Sequence, residues 1–92
     1  MYLEIVSPEA TLFSGEVISV TVPGVNGEFQ MLKDHEPIVS LLQKGQVKLE
    51  GTVSIAKEHK DKFTVDAAGR TLLSIGSGTL EMKNNRAIVL AD

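Results

Sequence analysis

Short apolar runs recur along the whole chain, and most of them end at glycine, proline, asparagine or a charged residue. In the clearest run, residues 16–22, the side chains of Ile18, Val20 and Val22 fall on one side. Alternation with a period of two is typical of β-strands. Roughly ten such runs at close spacing, without a convincing helical pattern, predict an all-β domain, either an antiparallel sandwich or a barrel.

The run from Ile38 to Leu42 differs from the others because it is apolar on both of its sides. A strand of this kind fits a position with neighbours on both faces, so we expect it near the centre of the fold.

Residues 22–37 form the most constrained connection in the chain. Pro23 fixes its own φ, Asn26-Gly27 tolerates a positive φ, and Pro37 restricts the residue before it to extended geometry. The connection ends in a charged tip, Lys33 to Glu36. A rigid tip pays less ordering entropy on binding, so it suits a binding surface, but an ordinary hairpin tip explains it equally well.

The composition predicts one globular domain and removes several classes of function. The chain has 92 residues, of which 42% are hydrophobic, and a formal net charge of −3. A negative charge with few aromatic residues disfavours binding to nucleic acid. With no cysteine, disulfides and thiolate metal sites are excluded. No signal peptide is visible, and no apolar run approaches the ~20 residues of a membrane span.

Between Thr52 and Arg70 the strand pattern weakens. Residues 57–62 are charged with mixed signs, which is typical of a solvated turn. We expect an additional hairpin or a short helix across residues 52–70.

The residues offer no catalytic, cofactor-binding or metal site. Asp34-His35-Glu36 is the densest polar triplet, but adjacent side chains of an extended segment point to opposite faces. Gly76-Ser77-Gly78 lacks the outer glycine spacing and the following helix of a nucleophile elbow. Neither segment brings together a nucleophile, a base and an orienting group, so we expect a protein without catalytic activity or cofactor.

Several motifs, in order along the chain, resemble the N-terminal β-sandwich domain of the ε subunits of F-type ATP synthases. They are residues 5–9, residues 12–17, Pro23-Gly24 with Gly27-Glu28-Phe29, Leu32 with His35 and Pro37, and the closing residues 89–92. The resemblance implies a single domain, 1–92, made of two antiparallel sheets. It also implies a non-catalytic subunit of the central stalk, which couples rotation of the γ subunit to proton- or sodium-driven rotation of the c-ring.

The resemblance also implies two sets of contact residues. Contacts to the polar loops of the c-ring are expected from Glu28, Lys33, Asp34, His35 and Glu36. Contacts to the γ subunit are expected from Ser7, Ile38, Ser40 and Leu42. Many members of the family have glycine and proline where this chain has Gln30 and Lys33, so the tip is expected to differ in shape.

Members of this family usually continue into a C-terminal helical hairpin, which carries an inhibitory extension and an ATP-binding motif. The sequence stops at Asp92, so neither function is expected from these residues. The implied location is the cytoplasmic face of a bacterial inner membrane as a peripheral subunit, without insertion into the membrane, or alternatively the plastid stroma. The alternative function is a free-standing β-sandwich that binds a ligand or a nucleic acid strand.

Overall fold

The computed structural model describes residues 1–92 as ten β-strands and one short 3-10 helix. The strands are β1 (Tyr2–Val6), β2 (Thr11–Glu16), β3 (Ser19–Gly24), β4 (Gly27–Leu32), β5 (Ile38–Leu42), β6 (Gly45–Glu50), β7 (Phe63–Val65), β8 (Thr71–Ile75), β9 (Gly78–Lys83) and β10 (Arg86–Ala91). The 3-10 helix is Lys57–Lys62.

The strands follow one hydrogen-bonded path, β2-β1-β10-β9-β5-β3-β6-β8-β7, with β4 paired to β3. The path turns at β5, which pairs along its whole length with β9 but meets β3 only at Leu42 opposite Gly24. This single contact divides the path into a first sheet, β2-β1-β10-β9-β5, and a second sheet, β4-β3-β6-β8-β7. The prediction of an all-β sandwich with about ten strands is confirmed.

One pairing departs from the predicted antiparallel arrangement. The first and last strands, β1 and β10, lie parallel, with Leu3 opposite Ala87 and Ile5 opposite Val89. Parallel neighbours cannot be joined by a tight turn, and here the whole chain separates them. The alternation of apolar residues within a strand does not indicate which distant strand will lie beside it, so this parallel pairing could not be predicted from the sequence.

The core lies between the two sheets and is almost entirely aliphatic. One cluster of 19 buried apolar residues contains Ile5 and Val89 from the first sheet and Val20 and Leu49 from the second. All four of these side chains are 0% exposed. Because side chains alternate along a strand, burial of one set places the intervening set on the outside of each sheet.

The run 16–22 is shorter as a strand than the sequence predicts. β3 begins at Ser19, and Ile18, expected on the buried side, is 63% exposed in the preceding turn. At its other end β3 continues through Pro23, whose carbonyl accepts a hydrogen bond from the Gln43 N–H at 2.8 Å. Every residue of β3 is buried, including Ser19.

Residues 52–70 contain both of the elements that the sequence left open. The 3-10 helix is followed directly by β7, which forms an antiparallel hairpin with β8. Asp66 closes the turn of this hairpin by accepting hydrogen bonds from the backbone N–H groups of Ala68, at 3.0 Å, and of Arg70, at 2.8 Å. The N–H of Arg70 in particular lowers the pKa of the Asp66 carboxyl.

Candidate functional site

The outer surface of the first sheet exposes a contiguous group of apolar side chains, here called the apolar face. It is formed by Val6, Val39, Leu41, Ile88 and Leu90. Val39 is 75% exposed and Leu41 is 63% exposed. Neighbouring apolar side chains of this size are unusual on the free surface of a small domain and mark interaction sites.

The register places the outward side chains of this sheet in three rows that cross the strands. An apolar row lies at one end, where Leu90 is opposite both Val6 and Thr79, and Thr79 is opposite Leu41. Successive rows are two residues apart along each strand, which is about 7 Å.

The middle row combines apolar and acidic residues, and we call it the acidic row. Ile88 lies opposite Glu4 on one side and Glu81 on the other, and Glu81 lies opposite Val39. Together these residues line a shallow groove of about 460 Å³ with the apolar row.

The third row, here called the basic row, ends the face. Arg86 lies opposite Tyr2 and Lys83, and its guanidinium carbon is 4.9 Å from the centre of the Tyr2 ring. A cation at this distance from an aromatic face makes a cation–π interaction.

The structure places the predicted γ-contact residues of β5 on the side opposite the apolar face. Leu42 is 3% exposed and belongs to the core, so it is corrected from a surface residue to a structural one. Ile38 packs against the core and Ser40 is half-buried. The outward residues of the same strand are Val39 and Leu41, which the sequence analysis did not list among the contact residues. The signal for them was the apolar character of both sides of this run.

Ser7 lies in the turn that follows β1, beside the apolar row. Its hydroxyl donates a hydrogen bond to the Ala10 carbonyl at 3.2 Å and accepts one from the Ala10 N–H at 3.3 Å. Its position is therefore fixed by the turn, at the edge of the apolar face.

The structure places the predicted c-ring residues in two groups. Glu28 is at the start of β4 and Lys33 to Glu36 follow its end, so the strand separates them. At ~3.3 Å per residue, the strand from Glu28 to Leu32 is about 13 Å long, and the tip begins after it. The structure therefore defines two candidate contacts at opposite ends of β4, which has one free edge because it pairs only with β3.

Glu28 is half-exposed and already has a cation beside it. The Lys48 ammonium is 2.9 Å from its carboxylate, and reaches it from β6 across β3. Lys48 was not predicted as part of the site, because the sequence separates the two residues by twenty positions.

The tip from Lys33 to Glu36 is held against the β9–β10 turn. Asp34 has a φ of 64°, and its N–H donates a hydrogen bond to the Asn85 side-chain oxygen at 3.0 Å. The His35 N–H donates to the Leu32 carbonyl at 3.2 Å. Asn85 lies in the β9–β10 turn, and its side chain anchors the tip.

Nothing in the structure resembles a metal centre or a membrane segment. No group of three or more histidine, cysteine or acidic side chains is placed to hold a metal ion. The chain has no helix with the length and apolar character needed to cross a membrane.

The chain matches a family model described as "ATP synthase, Delta/Epsilon chain, beta-sandwich domain" over residues 1–92. It is 38% identical over 90 residues to the ATP synthase epsilon chain of Chlorobaculum tepidum, which covers 98% of this chain and 86% of that relative. It is 37% identical over 90 residues to the ATP synthase epsilon chain of Helicobacter pylori strain P12, again over 98% of this chain but only 61% of the relative.

Solved structures with the same fold include a chain of the Tetrahymena thermophila mitochondrial ATP synthase, described as central stalk and c-ring. Its TM-score is 0.71 at 13% identity, over 99% of this chain and 62% of that one. A chain of the Euglena gracilis mitochondrial ATP synthase has a TM-score of 0.72 at 17% identity, over 97% of this chain and 48% of that one. At these identities the likeness shows the fold.

Proposed function

The chain belongs to the ATP synthase delta/epsilon family, whose β-sandwich model it matches over its whole length, and we propose that it is a non-catalytic subunit of the central stalk. In this role it couples rotation of the γ subunit to ion-driven rotation of the c-ring. It acts as a peripheral part of a membrane-associated complex and needs no cofactor.

The observation that carries the proposal is the apolar face. Five apolar side chains lie on the outer surface of β1, β10 and β5, with Thr79 and Glu81 of β9 between the last two strands, although the sandwich already has a complete core on its inner side. Keeping them in water forgoes the favourable free energy of burial, about 25 cal/mol per Å². A permanent partner would recover it, and we assign this face to the γ subunit.

Val39, Leu41 and Leu90 are the proposed centre of the γ contact, with Ser7 at its edge. Ile38 and Ser40, which the resemblance implied, support the contact from the inner side of β5, where they fix the strand that presents Val39 and Leu41. Leu42 contributes through the core.

For the c-ring we propose contacts at both ends of β4. Glu28 supplies an acidic group at one end, and Lys33, Asp34, His35 and Glu36 supply a charged tip at the other. A ring of repeated subunits presents several identical loops, so a ring surface that follows the free edge of β4 would meet both ends. An exposed ion pair contributes only ~0.2–1 kcal/mol, so no single residue of this set dominates the contact.

The test of the γ assignment is co-purification of this chain with a tagged γ subunit of the same ATP synthase. We expect a one-to-one complex that buries more than ~1,000 Å² in total. The variant V39S/L41S should lose γ binding. The matched control is I18S/V65S, which also changes two exposed apolar residues, at 63% and 68% exposure, outside the apolar face. Equal binding by both variants would contradict the assignment.

The c-ring contacts need the assembled enzyme. In the complete complex, E28Q and a tip variant, K33A/E36A, should each reduce ion-driven ATP synthesis more than ATP hydrolysis. The isolated variants should stay folded, with E28Q losing only the ~0.2–1 kcal/mol expected of its ion pair with Lys48. If either variant unfolds, its residues are structural and the contact at that end is wrong.

A further inference from the structure

The side chains of the apolar face change in character along the strands. The apolar row is followed by the acidic row and then by the basic row, with about 7 Å between rows. Each row crosses β1, β10 and β9, so the order apolar, acidic, basic applies to the width of three strands.

Glu4 and Glu81 are the acidic residues of these three rows, and neither has a charged partner in the chain. The structure has three ion pairs, which join the N-terminus to Glu16, Lys48 to Glu28, and Arg70 to Asp66. The two carboxylates lie on the two sides of Ile88, each one strand away from it. With ~4.8 Å between strands, a cation above Ile88 would be within reach of both.

A partner that covers the apolar face removes water from these two carboxylates. A carboxylate that loses its water without gaining a cation or hydrogen bonds strongly disfavours the complex. Glu4 is already half-buried in the free chain. Docking on Leu90 and Val39 therefore requires a positive group on the partner at the position of Ile88.

We infer that the γ surface seated on the apolar face carries an arginine or lysine that lies over Ile88, between Glu4 and Glu81. The inference rests on the proposed function, since it describes the partner of that same surface. Arginine fits best, because its planar guanidinium has donors on opposite edges and its flat face packs on an aliphatic side chain.

The three rows also fix the direction in which the partner docks. The partner must present apolar, basic and acidic side chains in that order, facing the apolar, acidic and basic rows. A partner turned by 180° about the acidic row would place its acidic side chains over the apolar row and its apolar side chains over Lys83 and Arg86, and charges buried without partners are strongly unfavourable. A wholly apolar face would permit both directions.

The experiment compares binding of the full chain and its variants to the γ subunit across a series of salt concentrations. The test variant is E4Q/E81Q, which removes both charges and keeps the shapes of the side chains. The matched control is E58Q/D61N, which also removes two negative charges, in this case from the exposed 3-10 helix. Thermal unfolding of each free variant verifies that it is folded.

We expect E4Q/E81Q to weaken γ binding by about 10-fold or more at low salt, and to reduce the dependence of affinity on salt, because the lost interaction is between charges. The control should bind like the original chain. Unchanged affinity and salt dependence in E4Q/E81Q, or tighter binding, would overturn the inference while leaving the proposed function intact, provided that V39S/L41S still loses binding. Failure of the original chain to bind γ would overturn the proposed function together with the inference.

Discussion

Both sheets of this sandwich have apolar side chains on their inner surfaces, but their outer surfaces differ in polarity. On the second sheet the outward residues at the centre of β4, β3 and β6 are polar and bonded to one another. Ser19 donates a hydrogen bond to the Glu50 carboxylate at 2.9 Å and accepts one from the Gln30 amide at 3.2 Å. Lys48 pairs with Glu28 beside them. On the first sheet the outward residues include exposed apolar side chains, and Glu4 and Glu81 have no ion-pair partner.

This difference shows that a small domain can have a complete hydrophobic core and still expose a surface that only a second protein can bury. The outer face of the second sheet satisfies its own polar groups across β4, β3 and β6, so it is finished when the chain folds. The apolar face adds nothing to the stability of the free chain beyond what Ala would give. Its residues gain their free energy only when another surface covers them.

The largest difference in stability should appear between an inward and an outward residue of the neighbouring strands β9 and β5. Leu80 points inward and is 0% exposed, whereas Val39 points outward from the neighbouring strand. We expect L80A to lower the free energy of unfolding by about 2–5 kcal/mol, because it leaves a cavity. V39A should change it by less than ~0.5 kcal/mol. Urea unfolding measures both, and equal losses would mean that Val39 is part of the core.

Ser19 is the centre of the hydrogen-bonded polar group on the outer face of the second sheet. The variant S19A leaves the Glu50 carboxylate and the Gln30 amide without this hydroxyl, in a place where the backbone is buried. We expect a loss of about 1–2 kcal/mol in the free energy of unfolding. The control is S40A, whose exposed hydroxyl bonds only to the Leu41 carbonyl. A cost for S40A as large as that for S19A would show that the polar network has no special role.

A smaller effect is expected from the ion pair across β3. K48M should lower the free energy of unfolding by ~0.2–1 kcal/mol at low salt, and the difference should shrink as salt screens the pair. K44M removes an exposed lysine that forms no ion pair, and it should have no such salt-dependent effect. If K48M raises the free energy of unfolding, the ion pair between Lys48 and Glu28 does not stabilise the outer face of the second sheet.

The smallest expected effect is a dependence of stability on pH. It should come from Asp66 in the turn between β7 and β8, which lies outside both faces. The pKa of Asp66 is lowered by the Arg70 N–H and the Arg70 guanidinium, so the carboxylate stabilises the folded chain at neutral pH. That contribution is present above the pKa of the unfolded chain and is lost as pH falls through the lowered folded value. D66N should therefore lower Tm at pH 7 and not at a pH below both values. A Tm difference that is constant with pH would contradict this origin.

The strands could be predicted from the sequence, but the surfaces they form could not. Alternation identifies two sides of a strand without saying which side is buried, and in β5 both sides are equally apolar. The neighbouring strands decide this, and the parallel pairing of β1 with β10 is a contact between the two ends of the chain. The sequence analysis therefore named Leu42 as a γ contact, although the fold buries it, and the fold leaves Val39 and Leu41 of the same strand exposed.

The spacing between the two parts of the predicted c-ring set could not be derived from the sequence for a related reason. Six residues can close into one loop or extend into one strand, and the distance between their ends changes from a few ångströms to about 20 Å. Residues 27–32 form β4, so Glu28 and Asp34 lie at its opposite ends. The motif residues themselves could be identified, because they are close in sequence, but Lys48 and Asn85 contact them from distant strands.

The most direct test of the γ assignment uses the absence of cysteine from the chain. A single cysteine is introduced at Leu41 on the apolar face or at Gln30 on the polar face, and its rate of alkylation is measured with and without the γ subunit. We predict that γ slows alkylation of L41C at least about tenfold, as expected for a residue at the centre of a dry interface, and leaves Q30C unchanged. Protection of Q30C with free reaction of L41C would place γ on the second sheet and contradict the account.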